Sequence, residues 1–382
     1  MNGDRLKRAR EIKGWTQLEM AEAVNVTQAA IARIEQNLLE PSEQLVQQIA
    51  LATGFPVAFF FQETSVDFPL GSLLFRQHMT LKSRERDQIL QTAWVSYVIY
   101  DHMARRLKLM PLRLPRVENE DIQTAALLTR NALGIEPGVP VKNLVHKLEK
   151  AGVAVLAIPL EIHGHDAFSL WADNRRAVIV LSSGKPGDRQ RHTAAHEAAH
   201  LVLHHALYGS RDEAEKDAEV FASEFLMPEE IMREEIVKPV TLSSLAELKP
   251  RWGVSIGSLI ERAFQLKVIS VDQRKYLWKQ MGLRGWRTQE PANLNIEPEK
   301  PRALRKMAEL LYENKDGSIN YQKLARDTSM PASLVAQVLD VHASYGAAAP
   351  ARPIPFGQVR HFPTSKPADE DEEQNAIHRS VG

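Results

Sequence analysis

The chain has 382 residues, with 48 Lys+Arg against 48 Asp+Glu, 44% apolar residues and no cysteine. That length implies two or three domains, and the apolar share is ample for packed cores. The lack of cysteine excludes a disulfide framework, a thiolate zinc finger, an iron–sulfur centre and a cysteine nucleophile. No stretch approaches the roughly 20 apolar residues of a membrane span, and MNGDRLKRAREIKGW has no apolar run of secretory type. A soluble, cytoplasmic, nucleoid-associated protein with no membrane partner is expected.

In chain order, residues 1–62 read as a compact run of short helices. Leu6, Ala9 and Ile12 sit at helical spacing before Gly14. Thr16 and Glu19 form a capping box for a second helix with Leu18, Ala21 and Val24 as its buried stripe. Thr27 caps a third helix, whose apolar face is Ala30, Ile31 and Ile34, and Pro41-Ser42 opens a fourth that Gly54 closes.

Residues 63–117 form a basic connector. Arg76, Lys82, Arg84, Arg86, Arg105, Arg106, Lys108, Arg113 and Arg116 outnumber the local acids, and Trp94, Val95, Val98 and Met103 predict an amphipathic helix from about 84 to 109. Residues 118–300 look α+β. Helices are expected over 125–133 and 141–150, with strands in GVAVLAIPL and from Arg176 to Ser183. Residues 301–345 are helical again, with Leu324, Ala325, Leu334 and Val338 as a small core. The Pro-rich 346–382, with its acidic run Asp369–Glu373, cannot bury enough apolar surface to fold alone and is expected to be disordered.

The chemistry concentrates in HTAAHEAAHLVLHH, where His196-Glu197-Ala198-Ala199-His200 has the H-E-x-x-H pattern. Two His four apart stack on one helix face and reach one ion, and the intervening Glu is placed to act as general base on water activated by zinc. A third protein ligand is needed. Glu215 and Glu219 share a helix face, so one can bind metal while the other hydrogen-bonds a ligand imidazole. Glu215 is assigned as ligand and Glu219 as the imidazole's partner, with Asp217 the weaker candidate. Among the flanking His192, His204, His205 and Tyr208, His204 or Tyr208 is the candidate donor to an oxyanion. Arg176–Ser182 offers an edge for an extended peptide. Manganese suits a His/His/Glu site as well as zinc does.

With EKDAEVFASEFLMP from Glu215 to Pro228, the motif resembles the ImmA/IrrE family of zinc metallopeptidases. The resemblance implies a zincin-like fold for 118–300 and gives Glu215 the role of third ligand; Glu219 stands where the family usually has Asp or Asn. Independently, LKRAREIKGWTQLEMAEAVNVTQAAIARIEQNLLEPS resembles the lambda-repressor-like (XRE) helix-turn-helix. That resemblance implies a recognition helix from Thr27 to Asn37, with Gln28, Ala29 and Arg33 towards base edges and Gln17 on a phosphate. The DNA-contacting set is therefore Gln17, Thr27, Gln28, Ala29, Arg33 and Asn37.

Residues 1–62 carry six Lys+Arg against seven Asp+Glu. A monomer should bind weakly, so a homodimer on a two-fold double-stranded operator is expected. Two readings follow. In one, a DNA-binding regulator carries a zinc endopeptidase that cleaves a specific regulatory protein. In the other, a transcription factor or antitoxin-type regulator uses a peptidase-like domain only to bind a ligand or partner.

Overall fold

The computed structural model describes residues 1–63, 83–117, 120–158, 167–173, 175–203 and 211–344. The expectation of a disordered tail lies outside these residues, as do Arg76, Lys82, His204, His205 and Tyr208.

The N-terminal helices start where their caps dictate. They are α1 (Gly3–Ile12), α2 (Gln17–Ala23), α3 (Gln28–Glu35) and α4 (Glu43–Thr53), capped by Asn2, Thr16, Thr27 and Ser42. Thr16 and Glu19 make the reciprocal box, at 3.1 and 2.6 Å, which satisfies two amides that the first helical turn leaves without partners. Gly54 closes α4 in the left-handed region at φ 75°. A 3-10 turn, Val57–Phe61, then buries Phe59 and Phe60 against the bundle. One residue departs from the expected stripe: Leu18 is 53% exposed, and Met20 fills the core in its place.

Helix α5 (Ser83–Ala104) is shorter than the stretch expected from sequence, and its apolar surface is not one stripe. From Ile89 to Ala104 it is buried almost all round, because it is packed on several sides at once. It lies against α1, strand β1 (Ala154–Ile158), α14 (Ala303–Tyr312) and α15 (Tyr321–Thr328). Trp94 marks the junction with α1, where the guanidiniums of Arg5 and Arg8 lie 5.2 and 4.4 Å from its ring.

A small mixed sheet carries β1, β2 (Ala167–Ala172) and β3 (Arg176–Ser182) in the order β1-β3-β2. β1 runs parallel to β3 and β2 antiparallel to it. The sequence pattern announces no β2 and makes β3 an edge. The structure corrects this: β3 is the interior strand, paired on both sides, and β2 is the outer strand beside α8 (Gly187–Leu203). The short AFSLWA run, folded back by a turn at Asp173, covers what would otherwise be the edge of β3.

The strands alternate strictly between two cores. Ala154, Leu156, Ile158, Phe168, Leu170, Ala172, Val178 and Val180 join the N-terminal bundle, α5 and the C-terminal helices in the first core. Val155, Ala157, Ala167, Ala177, Ile179 and Leu181 face the second. That second core is built with α6 (Ile122–Ala132), α7 (Leu144–Lys150), α8, α9 (Arg211–Leu226), α10 (Glu229–Glu235), α11 (Leu242–Trp252), α12 (Ile256–Gln265) and α13 (Val271–Leu283). Helix α16 (Ala332–Ser344) flanks β1, where Nε2 of the buried His342 accepts the Ala157 amide at 3.0 Å.

Helix α8 is fixed at its start by residues 296–299. The Gly187 amide donates to the Ile296 carbonyl at 2.8 Å, and a Cβ at Gly187 would collide with the Glu297 carbonyl. Gln190 exchanges two hydrogen bonds with the Glu299 backbone, both 2.7 Å, and Arg191 pairs with the Glu299 carboxylate at 2.7 Å.

Candidate metal centre and DNA-binding surface

The metal-ligand candidates sit where α8 and α9 cross. Ala194, Ala195, Ala198 and Ala199, beside and between the two histidines, are buried in the second core. The crossing brings His196 and His200 on α8 to Glu215 on α9. The two imidazole Nε2 atoms are 3.1 Å apart, and the Glu215 carboxylate oxygens lie 3.3 Å from His196 Nε2 and 3.5 Å from His200 Nε2. Ligand atoms about 2.0–2.1 Å from a tetrahedral zinc are about 3.4 Å from one another, so the three donors already have the spacing of one face of such a site. Two nitrogens and a carboxylate oxygen are also a donor set that zinc and manganese both accept.

Glu219 is one helical turn beyond Glu215. It faces His196 Nδ1 at 3.5 Å and His192 Nε2 at 3.2 Å. Bonding to these two rings holds its carboxyl well below the usual carboxylate range. Burial works against charge on His196, but the Glu215 and Glu219 carboxylates outweigh it and raise its pKa to about 10. The pocket is thus strongly attractive to positive charge at the point where the three donors meet.

Glu197 points to the sheet side of α8 and is buried, which raises its pKa; the His196 charge and a hydrogen bond from Ser169 work in the opposite direction. Ser169 Oγ donates to Glu197 Oε2 at 2.7 Å. Ser169 escapes a reading of the sequence because it belongs to β2. The available signal is a lone Ser between Phe168 and Leu170, both committed to the other face of the strand.

In the N-terminal bundle, Thr27 caps α3 by accepting the Ala30 amide at 3.2 Å, and Thr27, Gln28, Ala29 and Arg33 are exposed along it. Gln17 and Asn37 have internal partners. Gln17 Nε2 donates to Glu35 Oε2 at 2.8 Å, and Asn37, at φ 58°, accepts the Gly3 amide on Oδ1 at 2.8 Å. Glu35 is in turn gripped by the Arg10 guanidinium through bonds of 2.6 and 3.2 Å. This cluster locks α1, α2 and α3 together and fixes how α3 is presented.

Residues 148–264 match the Peptidase M78 family model, described as the IrrE N-terminal-like domain, and residues 6–60 match a helix-turn-helix family model. Comparison with curated proteins gives no match. Among solved structures, the chain is similar to Bacillus thuringiensis PlcR in complex with the peptide PapR7 and DNA. The identity is 13%, over 89% of this chain and 96% of that one, and the TM-score is 0.16. No helix among the described residues is long and apolar enough to cross a membrane. The geometry and both family matches agree: residues 6–60 form a helix-turn-helix domain, and residues 148–264 an IrrE N-terminal-like domain of the M78 peptidase family.

Proposed function

We propose that the protein is a DNA-binding regulator whose M78 domain is a metal-dependent endopeptidase acting on a specific regulatory protein. The observation that carries this reading is the convergence of His196 Nε2, His200 Nε2 and Glu215 within 3.1–3.5 Å, with Glu197 beside them. In this reading the DNA-binding part spans 1–62, the connector 63–117, the peptidase part 118–300 and the helical C-terminal region 301–345, with the tail 346–382 following. The protein acts in the cytoplasm as a homodimer on a two-fold operator, which compensates for the low positive charge of residues 1–62.

His196, His200 and Glu215 hold the metal, zinc or manganese, and Glu219 orients His196 through Nδ1. When bound, the ion supplies Lewis-acid chemistry, polarising a peptide carbonyl and acidifying water. Glu197 takes the proton from the attacking water and passes it to the leaving amine nitrogen. Ser169 holds one oxygen of that carboxylate, which leaves the other to face the substrate. A substrate in extended form pairs with the outer strand β2, in place of the interior β3. Gln28, Ala29 and Arg33 read bases from the exposed side of α3. Thr27 and Asn37 set the two ends of the helix, and Gln17 orients it through Glu35.

The test is the metal content of the purified protein by elemental analysis, with His196→Ala and Glu215→Ala beside it. About one metal ion per chain is expected, lost in both variants. Glu197→Gln should keep the metal and DNA binding but lose cleavage by a factor of about 10²–10⁴. A wild-type chain that binds no added zinc or manganese, with all variants folded and DNA-competent, would leave the domain as a ligand- or partner-binding module.

A further inference from the structure

Phosphate neutralisation supplies much of a protein's affinity for duplex DNA, and residues 1–62 are poorly equipped for it. Six cations face seven acids there, and Arg10 is already paired with Glu35. Cations collect instead on α13 and the turn after it. Between 267 and 287 the chain carries Lys267, Arg274, Lys275, Lys279, Arg284 and Arg287 against the single acid Asp272. Arg274 is neutralised by Glu261 at 2.7 Å. The other five are exposed, and no carboxylate among the described residues lies within ion-pair distance of them.

This surface is built as well as charged. Lys275 and Lys279 are one helical turn apart on the same stripe, next to Tyr276, which is 61% exposed. The Arg284 guanidinium lies 5.1 Å from the Trp286 ring, and that of Arg287 lies 5.7 Å from Trp278. Arg287 also donates to the Trp278 carbonyl at 3.0 and 3.2 Å, while Trp278 Nε1 donates to Glu261 at 2.6 Å. The indole contacts restrain both guanidiniums at the surface, and the Trp278 carbonyl adds a second restraint on Arg287, while their remaining donors are open to phosphate oxygens. So many unneutralised cations repel one another, and a polyanion relieves that repulsion.

We propose that α13 and the following turn form a second contact for the phosphate backbone of duplex DNA, independent of base sequence. The inference rests on the reading that residues 1–62 bind DNA, in that it supplies the charge they lack. The test measures binding of the full chain to a random-sequence duplex as salt is raised from about 50 to 200 mM, the range in which phosphate contacts are exposed. A Lys275→Gln/Lys279→Gln/Arg284→Gln variant should bind roughly tenfold more weakly at the low-salt end. Its log–log salt slope should be shallower by about 0.9 for each phosphate that is no longer neutralised. Lys275→Arg/Lys279→Arg should keep the wild-type slope.

Arg33→Glu, on the recognition helix, separates the two readings. A shallower slope in the triple variant with no change in Arg33→Glu supports the α13 contact and removes the helix-turn-helix contribution. Weaker binding by Arg33→Glu with an unchanged slope in the triple variant overturns the proposal and leaves the helix-turn-helix reading standing. The latter is also the result expected if the surface holds the chain's own acidic run, Asp369–Glu373. No binding by any form overturns both.

Discussion

Glu35 shows how one carboxylate can fix the presentation of a helix face it does not belong to. It sits on the inner face of α3, buried, holding Arg10 of α1 by two bonds and Gln17 of α2 by a third. Its removal leaves the Arg10 guanidinium in a dry site, with the Glu11 carboxylate at 3.6 Å as the nearest substitute. Breaking one side of such a buried pair costs about 3 kcal/mol or more. Glu35→Ala should therefore lower the unfolding free energy by about that amount in a denaturant titration, and operator affinity should fall with it, although residue 35 is buried on the inner face of α3. An unchanged denaturation midpoint would refute the role. The H-E-x-x-H pair and the Thr16–Glu19 box are legible in the sequence because each is complete within a few residues. Ser169 and the Gln17–Glu35 bond are not, because both join residues far apart in sequence.

At the scale of elements, caps and spacing locate the helices of the N-terminal bundle and β1 and β3, whereas burial decides what cannot be read. The spacing in α5 predicts a one-sided amphipathic helix, but bundle, sheet and C-terminal helices enclose it. Strand β2 is too short and too mixed to announce itself. The C-terminal helices read as a separate small core, yet α16 reaches β1 through His342. That ring donates from Nδ1 to the Val338 carbonyl at 2.7 Å and accepts the Ala157 amide on Nε2, an arrangement open only to the neutral form. Burial pushes its pKa down to about 4 from the usual 6.5. A depressed value means that its contribution is complete above about pH 6.5 and is lost as pH falls towards 4, amounting to roughly 3 kcal/mol. Compared with wild type, His342→Gln, which keeps an acceptor without a titrating ring, should show a flatter pH dependence of stability across that window. Parallel curves would exclude the ring as the cause.

For the whole molecule, the first core matters most. It runs from Leu6 through α5 and one sheet face to Leu339, so the helix-turn-helix shares its apolar interior with the C-terminal helices and is not an appended bead. Gln62 Nε2 bonds Ser329 Oγ across the same junction at 2.8 Å. Trp94 lies at its centre, fully buried against Phe59 and under two arginines. Trp94→Ala should cost about 3–5 kcal/mol. The N-terminal bundle and the C-terminal helices should lose protection from hydrogen exchange together. Loss confined to one of them would mean that the two parts fold independently.

The three-stranded sheet is the wall between the two cores, and it is one side chain deep on each face. Along β2, Phe168 and Leu170 join the core shared with the N-terminal bundle, while Ser169 between them donates to Glu197. Odd and even positions of the same six residues therefore answer to different halves of the protein. A change of volume in the first core bears on a strand whose next residue holds Glu197. The two cores thus share a wall with no slack layer between them, so packing on one face constrains the backbone that carries the other.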